Sequence, residues 1–212
     1  TDGPEGINKN GHGEVFQVDS QARMSKTMEN HLTGDPRLDV LFEPGSASGG
    51  VQAGMPNGST GSDYTDLNGN TVPGIPTRHA YSAVASALQG RDVPMVFQTY
   101  AEVRLLKAEM AFRGWSVPGD AKTHYEAGVK AAMQMLSSIY PNAAAISDAE
   151  VDAYLALKPY DASKGWEMIS EQYCAATLLN EYEAGVEILN SKIIVFGGGN
   201  FGLNIMKYLA SM

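Results

Sequence analysis

The stretch from Pro94 to Trp115, PMVFQTYAEVRLLKAEMAFRGW, constrains the fold more than any other part of the chain. Val96, Tyr100, Val103, Leu106 and Met110 recur at steps of three or four, which places them on one face of an amphipathic helix. Pro94 precedes the run and Gly114 follows it, marking where such a helix starts and stops. Further helical signals follow. Tyr125, Val129, Met133 and Leu136 align over a helix from about Asp120 to Leu136. Ser147 with Glu150 forms a capping-box pattern, in which hydroxyl and carboxylate satisfy free backbone N–H groups at a helix start, and Lys158 and Pro159 end that helix. The longest run, Ser163 to Leu189, carries Ile169, Tyr173, Ala176, Leu179, Val186 and Leu189 on a broad stripe. Short connections between such helices favour antiparallel neighbours.

The first third reads differently. Ser20 to Leu32 is expected to form a short helix with Ser20 as its cap and Met24, Met28 and Leu32 in line. Gly34, Asp35 and Pro36 stop it, and Leu38 to Phe42 reads as a short strand. From Pro44 to Pro76 the chain is rich in Gly, Ser, Asn, Asp and Pro, a loop length that a compact domain keeps when the loop has a function. The expected fold is therefore mostly α, with tetratricopeptide-like antiparallel helix pairs behind a loop-rich, irregular N-terminal third. The helical spacing departs from the roughly 34-residue repeat consensus.

Four strings in consistent order carry a family resemblance. They are ARMSKTMENHLTGDPRLDVLFEP, GMPNG with RHAYSAVASALQGRDVPMVFQTYAEV, YAEVRLLKAEMAFRGW with HYEAGVKAAM, and EQYCAATLLNEYEAG. Together they resemble the C-terminal half of the SusD/RagB family, in its SusD-like, starch-binding-associated branch. The resemblance implies a non-enzymatic lipoprotein at the outer membrane and cell surface, which captures glycan or another nutrient and passes it to a SusC-like TonB-dependent transporter. It places residues 1–190 in the C-terminal part of a SusD-like domain, with 1–93 loop-rich, 94–190 a helical scaffold, and 191–212 outside the family pattern. The lipid anchor is expected on the family's N-terminal half. Because stacked helix pairs need neighbours to bury their apolar faces, an uncovered face is expected, filled by that missing N-terminal half or by self-association.

Composition narrows the function classes. A net charge of -9 argues against nucleic acid as a partner, since that polyanion needs a basic stripe. No apolar run approaches the roughly 20 residues that cross a bilayer. Cys174 is read as filling core space. His12, His31, His79 and His124 lack metal-ligand spacing and are read as surface or half-buried residues, so no metal is expected. There is no GxSxG elbow, and Glu181 and Glu183, two apart on a helix, point to different sides. No catalytic residues are assigned. Asp66, Asn68 and Asn70 resemble a calcium loop, but Gly69 comes too early and Thr77 occupies the place of the bidentate Glu, so an Asn-Gly turn is preferred. Asn57, Gly58 and Ser59 match a glycosylation triplet and are likewise read as a turn.

The tail SKIIVFGGGNFGLNIMKYLASM has a strand, Gly197, Gly199 and Gly202 in GxGxxG spacing, then a helix. A dinucleotide site needs a longer βαβ unit and a later acidic residue, so no cofactor is expected and the tail is read as a foreign end from a fusion, truncation or frame error.

Sugar recognition stacks an aromatic face on the C–H face of a pyranose and fixes its hydroxyls with amides and carboxylates, on loops held by a rigid scaffold. The loop residues of this kind are Asn57, Tyr64, Asp66 and Tyr81. Trp115 and Trp166, at helix ends, are read as closing the core. The alternative function is a helical-repeat adaptor that recruits protein partners, with less need for the 44–76 loop.

Overall fold

The computed structural model describes residue 10 and residues 22–56 and 78–178. Among these, the elements in chain order are α1 (Lys26–His31), α2 (Leu38–Leu41), β1 (Phe42–Glu43), β2 (Ala83–Val84), α3 (Tyr100–Phe112), α4 (Ala121–Ile139), α5 (Asp148–Leu157) and α6 (Gly165–Ala176), with short 3-10 turns between them. The fold is mostly helical, with a loop-rich first third.

Helix α3 starts later than Pro94 because its N-terminal N–H groups are satisfied at Thr99. The Thr99 hydroxyl accepts from the Glu102 N–H at 3.1 Å, and Glu102 accepts in return from the Thr99 N–H at 3.1 Å. Gly114, at a φ of 75°, ends the helix in the left-handed conformation that suits glycine. Asp120 caps α4 through the Thr123 N–H at 2.7 Å, and Tyr125, Val129, Met133 and Leu136 are all buried, as their spacing predicts. The capping box of Ser147 and Glu150 is present, and α5 ends at Leu157 with Lys158 as its cap.

Helices α3 and α4 form an antiparallel pair. Leu105, seven residues before the end of α3, lies against Gly128, seven after the start of α4. A Cβ on Gly128 would come within 2.7 Å of Leu105 Cγ, so the glycine sets how closely the two rods approach. Helix α6 packs across both, burying Ile169, Tyr173, Ala175 and Ala176, and α5 closes on α4 with Val151 and Tyr154. Val129, Leu105, Ala108, Met133 and Val151 are essentially inaccessible and mark the centre of the core.

Several expectations are corrected. The buried face of α3 is Ala101, Glu102, Leu105 and Ala108, not the stripe Val96, Tyr100, Val103, Leu106 and Met110. Tyr100 is 64% exposed and Leu106 39%, while Val103 and Met110 are half-buried, so these four lie on the outer side; Val96 precedes the helix and lines an apolar cleft with Leu136 and Tyr140. Small alanines let α3 lie close to its neighbours, and close approach outweighed the larger residues opposite.

Helix α1 is capped by Ser25, whose hydroxyl accepts from the Met28 N–H at 3.1 Å, rather than starting at Ser20. Met24 cannot join it, because its N–H donates to Ser82 O and its carbonyl accepts from Met55 N–H. Leu38–Leu41 is a helical turn, not a strand. Asp35 accepts from the Arg37 N–H at 2.9 Å and turns the backbone into the helical region, leaving only Phe42 and Glu43 to pair antiparallel with Val84 and Ala83.

Cys174 is exposed rather than in the core. Trp115 and Trp166 are 60% and 46% exposed and do not close it. His124 is buried, with Nε2 2.7 Å from Pro118 O under the turn at Gly119, whereas His31 is half-buried and His79 exposed. Helix α6 ends at Ala176 within the described range. His12, Ser20, Leu179, Glu181, Glu183, Val186, Leu189, the calcium-like stretch and the glycine-rich tail lie outside the described residues.

Candidate functional site

The segment 57–77, which holds Asn57, Tyr64 and Asp66, lies outside the described residues, but both of its flanks are built in detail. On the leading side, Gly54 N–H donates to Glu29 of α1 at 2.8 Å, and Met55 exchanges backbone hydrogen bonds with Met24 and Lys26. Partial desolvation pushes the Glu29 carboxyl up, but hydrogen bonds from Lys26 and from the Gly54 N–H outweigh it and hold the group below its usual range.

On the trailing side, the Ser82 hydroxyl donates to Gln52 Oε1 at 2.6 Å and accepts from the Ala53 N–H at 2.9 Å. Gln52 Nε2 then reaches Asp39 at 3.0 Å and the Phe42 carbonyl at 2.9 Å. Hydrogen bonds thus fasten the leading flank to α1 and tie the trailing flank, through Gln52, to α2 and β1.

Tyr81, the described member of the four candidate residues, stands at the trailing flank and is buried, 6% exposed, with its phenol pushed to higher pKa by desolvation. Its ring is packed and is not an open stacking face. The backbone beside it is crowded: a Cβ on Gly45 would lie 2.5 Å from the Tyr81 carbonyl oxygen, so the chain passes here only as glycine. Of the four candidates, Tyr81 alone lies among the described residues.

A second feature was not assigned a role from sequence. Asp35 and Arg37, flanking Pro36, form an ion pair with both side chains almost fully buried, Arg37 Nε lying 3.0 Å from Asp35 Oδ1. Arg37 Nη2 also donates to Gln172 Oε1 at 2.6 Å, and Gln172 Nε2 donates to Tyr154 Oη at 2.8 Å. The loop-rich third is thereby clamped to α6 and α5 through charge-assisted hydrogen bonds, the strong kind in a low dielectric. Burial, reinforced by the nearby Asp35 carboxylate, pushes the Tyr154 phenol up to about 12. The Asp-Pro-Arg string was the signal in the sequence. What the string alone lacks is the distant acceptor, Gln172.

Outside the clamp an open groove of about 300 Å³ is lined by Gly34, Asp35, Pro36, Glu150, Tyr154 and Leu157. Among the described residues no group of His, Cys, Asp and Glu is arranged to hold a metal ion, and no helix is long and apolar enough to cross a membrane.

Three exposed aromatics lie at or beyond the far end of α3, and two others, Phe97 and Tyr100, lie at its start. Phe112, Trp115 and Trp166 are 40%, 60% and 46% exposed. The Arg113 guanidinium lies 4.6 Å from the Trp166 ring centroid and is itself held by Glu109 at 2.7 Å. Gly165 leaves the room for this arrangement, since a Cβ there would come within 2.7 Å of the Phe112 ring.

Comparison with known proteins agrees with this architecture. A solved chitin-binding protein is 30% identical to the chain with a TM-score of 0.70, over 83% of this chain and 39% of its own length. A SusD-like protein of Bacteroidetes matches with a TM-score of 0.69 at 23% identity, over 91% of this chain and 48% of its own. A chitin-binding SusD homolog from Flavobacterium johnsoniae shares the fold at a TM-score of 0.57 and 18% identity, over 85% and 40%. This chain spans less than half the length of each of these structures. No curated protein matches it. The family model described as starch-binding, associating with the outer membrane, matches residues 6–188, and the chain belongs to this SusD-like family.

Proposed function

We propose that this chain is part of a non-catalytic capture protein that holds glycan at the bacterial cell surface and presents it to a SusC-like TonB-dependent transporter. Family membership over residues 6–188 is the observation that carries this reading. The 30% identical relative, itself a chitin-binding protein, supports oligosaccharide as the cargo class. The physical role assigned to the helices is support. A rigid scaffold lowers the ordering cost of the loop it carries, and a capture protein needs affinity without bond cleavage.

In this proposal Asn57, Tyr64 and Asp66 contact the ligand from the segment 57–77, and Tyr81 anchors the base of that segment. The lipid anchor belongs to the family's N-terminal half, which also supplies the partner surface for the uncovered outer side of α3, a second copy being the other occupant. That same uncovered side, with Tyr100 and Leu106 exposed, favours the second reading of a protein-binding adaptor.

Calorimetric titration of the chain with soluble chitooligosaccharides and maltooligosaccharides decides between the two. Saturable binding to at least one series is expected. Absence of heat with both at millimolar sugar, alongside tight binding of a soluble peptide, would replace capture with the adaptor.

A further inference from the structure

Three aromatic residues stand partly in water at one corner of the scaffold, where α3 ends and α6 begins: Phe112, Trp115 and Trp166. Such exposure is unusual for side chains whose burial is worth on the order of 1.5–3 kcal/mol each. Their environment is also specific. Arg113 lies 4.6 Å from the Trp166 centroid, so the indole orientation is fixed on one side while 46% of the residue stays exposed. Glu109 fixes the guanidinium in turn at 2.7 Å, placing a carboxylate and a cation beside the ring. Phe112 rests on Gly165, the residue before Trp166, in a space that a Cβ would fill.

We infer that Phe112, Arg113 and Trp166 form a second glycan-stacking platform, separate from the loop contacts proposed above, that takes a pyranose ring of an oligosaccharide. An indole ordered by a guanidinium and still 46% exposed is suited to the C–H face of a sugar, and the flanking carboxylate and guanidinium are suited to its hydroxyls. The restriction imposed by Arg113 matters because a ring already ordered loses little freedom on binding.

Size favours a sugar over a protein. Even with Trp115 counted beside Phe112 and Trp166, the exposed aromatic surface at this corner is roughly 300 Å², against about 800 Å² a side for a stable protein interface. On the helix the Glu109–Arg113 ion pair also borders this corner on the side toward Leu106 and Met110, so charge separates it from the outer apolar stripe of α3. The inference rests on the capture reading, and its test separates the two.

The chain has two tryptophans, both at this corner, so intrinsic emission reports on it directly. In a Trp115→Phe variant, Trp166 becomes the sole tryptophan, excited at wavelengths where tyrosine does not absorb. This variant is titrated with N-acetylchitohexaose and with maltoheptaose while heat and emission are followed in parallel. The expected result is an emission shift that saturates with sugar and whose Kd matches one component of the heat. Trp166→Ala should weaken binding about tenfold, the loss typical of truncating one hot-spot contact, and Trp166→Phe should restore most of it.

Circular dichroism of each variant checks that the fold is retained, as expected for a residue so exposed. Heat without any emission change would overturn the platform and leave the capture reading standing. Silence in both channels would overturn both. An emission shift that follows protein concentration instead of sugar would make the corner a contact between copies, and would also overturn the platform.

Discussion

Arg37 and Asp35 show how much one buried pair decides. Their side chains are 1% and 0% exposed, and two further groups, Gln172 and Tyr154, depend on them for partners. Removing one member of such a pair leaves an uncompensated charge in a low dielectric, which costs about 3–5 kcal/mol, whereas replacing both with apolar residues is often close to neutral. Arg37→Met should therefore lower unfolding stability by about that amount, and Asp35→Leu combined with Arg37→Met should recover most of it. Urea denaturation of the three proteins measures this; equal stability of Arg37→Met and the parent would show the clamp to be idle.

Tyr154 also sets an alkaline limit. Its phenol is raised by burial from the ordinary 10.0 to about 12, so the folded state holds the proton longer than the unfolded chain does. This contribution is complete below about pH 10 and is lost as pH rises from there toward about 12. Tyr125 and Tyr140, also raised by burial, act in the same direction. Denaturant midpoints should accordingly be insensitive to these phenols near neutrality and fall across the upper window. A midpoint that stays constant through pH 12 would contradict the burial of these tyrosines.

Among the elements, α4 and α5 were legible because everything that defines them is local. Asp120 and the Ser147–Glu150 box act within three residues of each helix start, and the four apolar residues of α4 repeat with the helical period. Helix α3 was legible as a helix but not as an oriented one, because both of its sides are apolar. Periodicity picked the larger residues, and packing chose the alanines. The outer side should therefore drive association when nothing covers it. Sedimentation equilibrium of the chain is expected to show concentration-dependent association that Leu106→Glu weakens at least tenfold, because a carboxylate would have to be buried in the contact. A strictly monomeric parent protein would refute this.

Helices α1 and α2 were misread for a related reason. Met24 is held by Ser82 and Met55, far along the chain, and Leu38–Leu41 is turned by an Asp35 side chain whose orientation depends on Arg37 and, through it, Gln172.

At the scale of the whole molecule, the loop-rich third and the helices are joined by side chains more than by regular structure. The two-stranded pairing of β1 with β2 is short, while the Asp35–Arg37–Gln172–Tyr154 chain and the Ser82–Gln52–Asp39 chain run between segments far apart in sequence. Of the candidate residues, Tyr81 is buried where its type and loop context read as exposed, because residue type and loop context are visible in a sequence while burial is not. The exposed Trp115 and Trp166 were misjudged in the opposite sense, since a tryptophan ending a helix closes a core only if neighbouring elements reach it.

What the sequence determined by itself was the helical character of the second half, the Ser147–Glu150 cap and the family, because these depend on residues within a few positions of one another or on ordered strings of them. Only the tertiary structure decided which side of α3 is buried, where the Asp-Pro-Arg turn is fastened and which aromatics stay in water. Each of those depends on partners many residues away, and burial belongs to the packed arrangement, not to any residue alone.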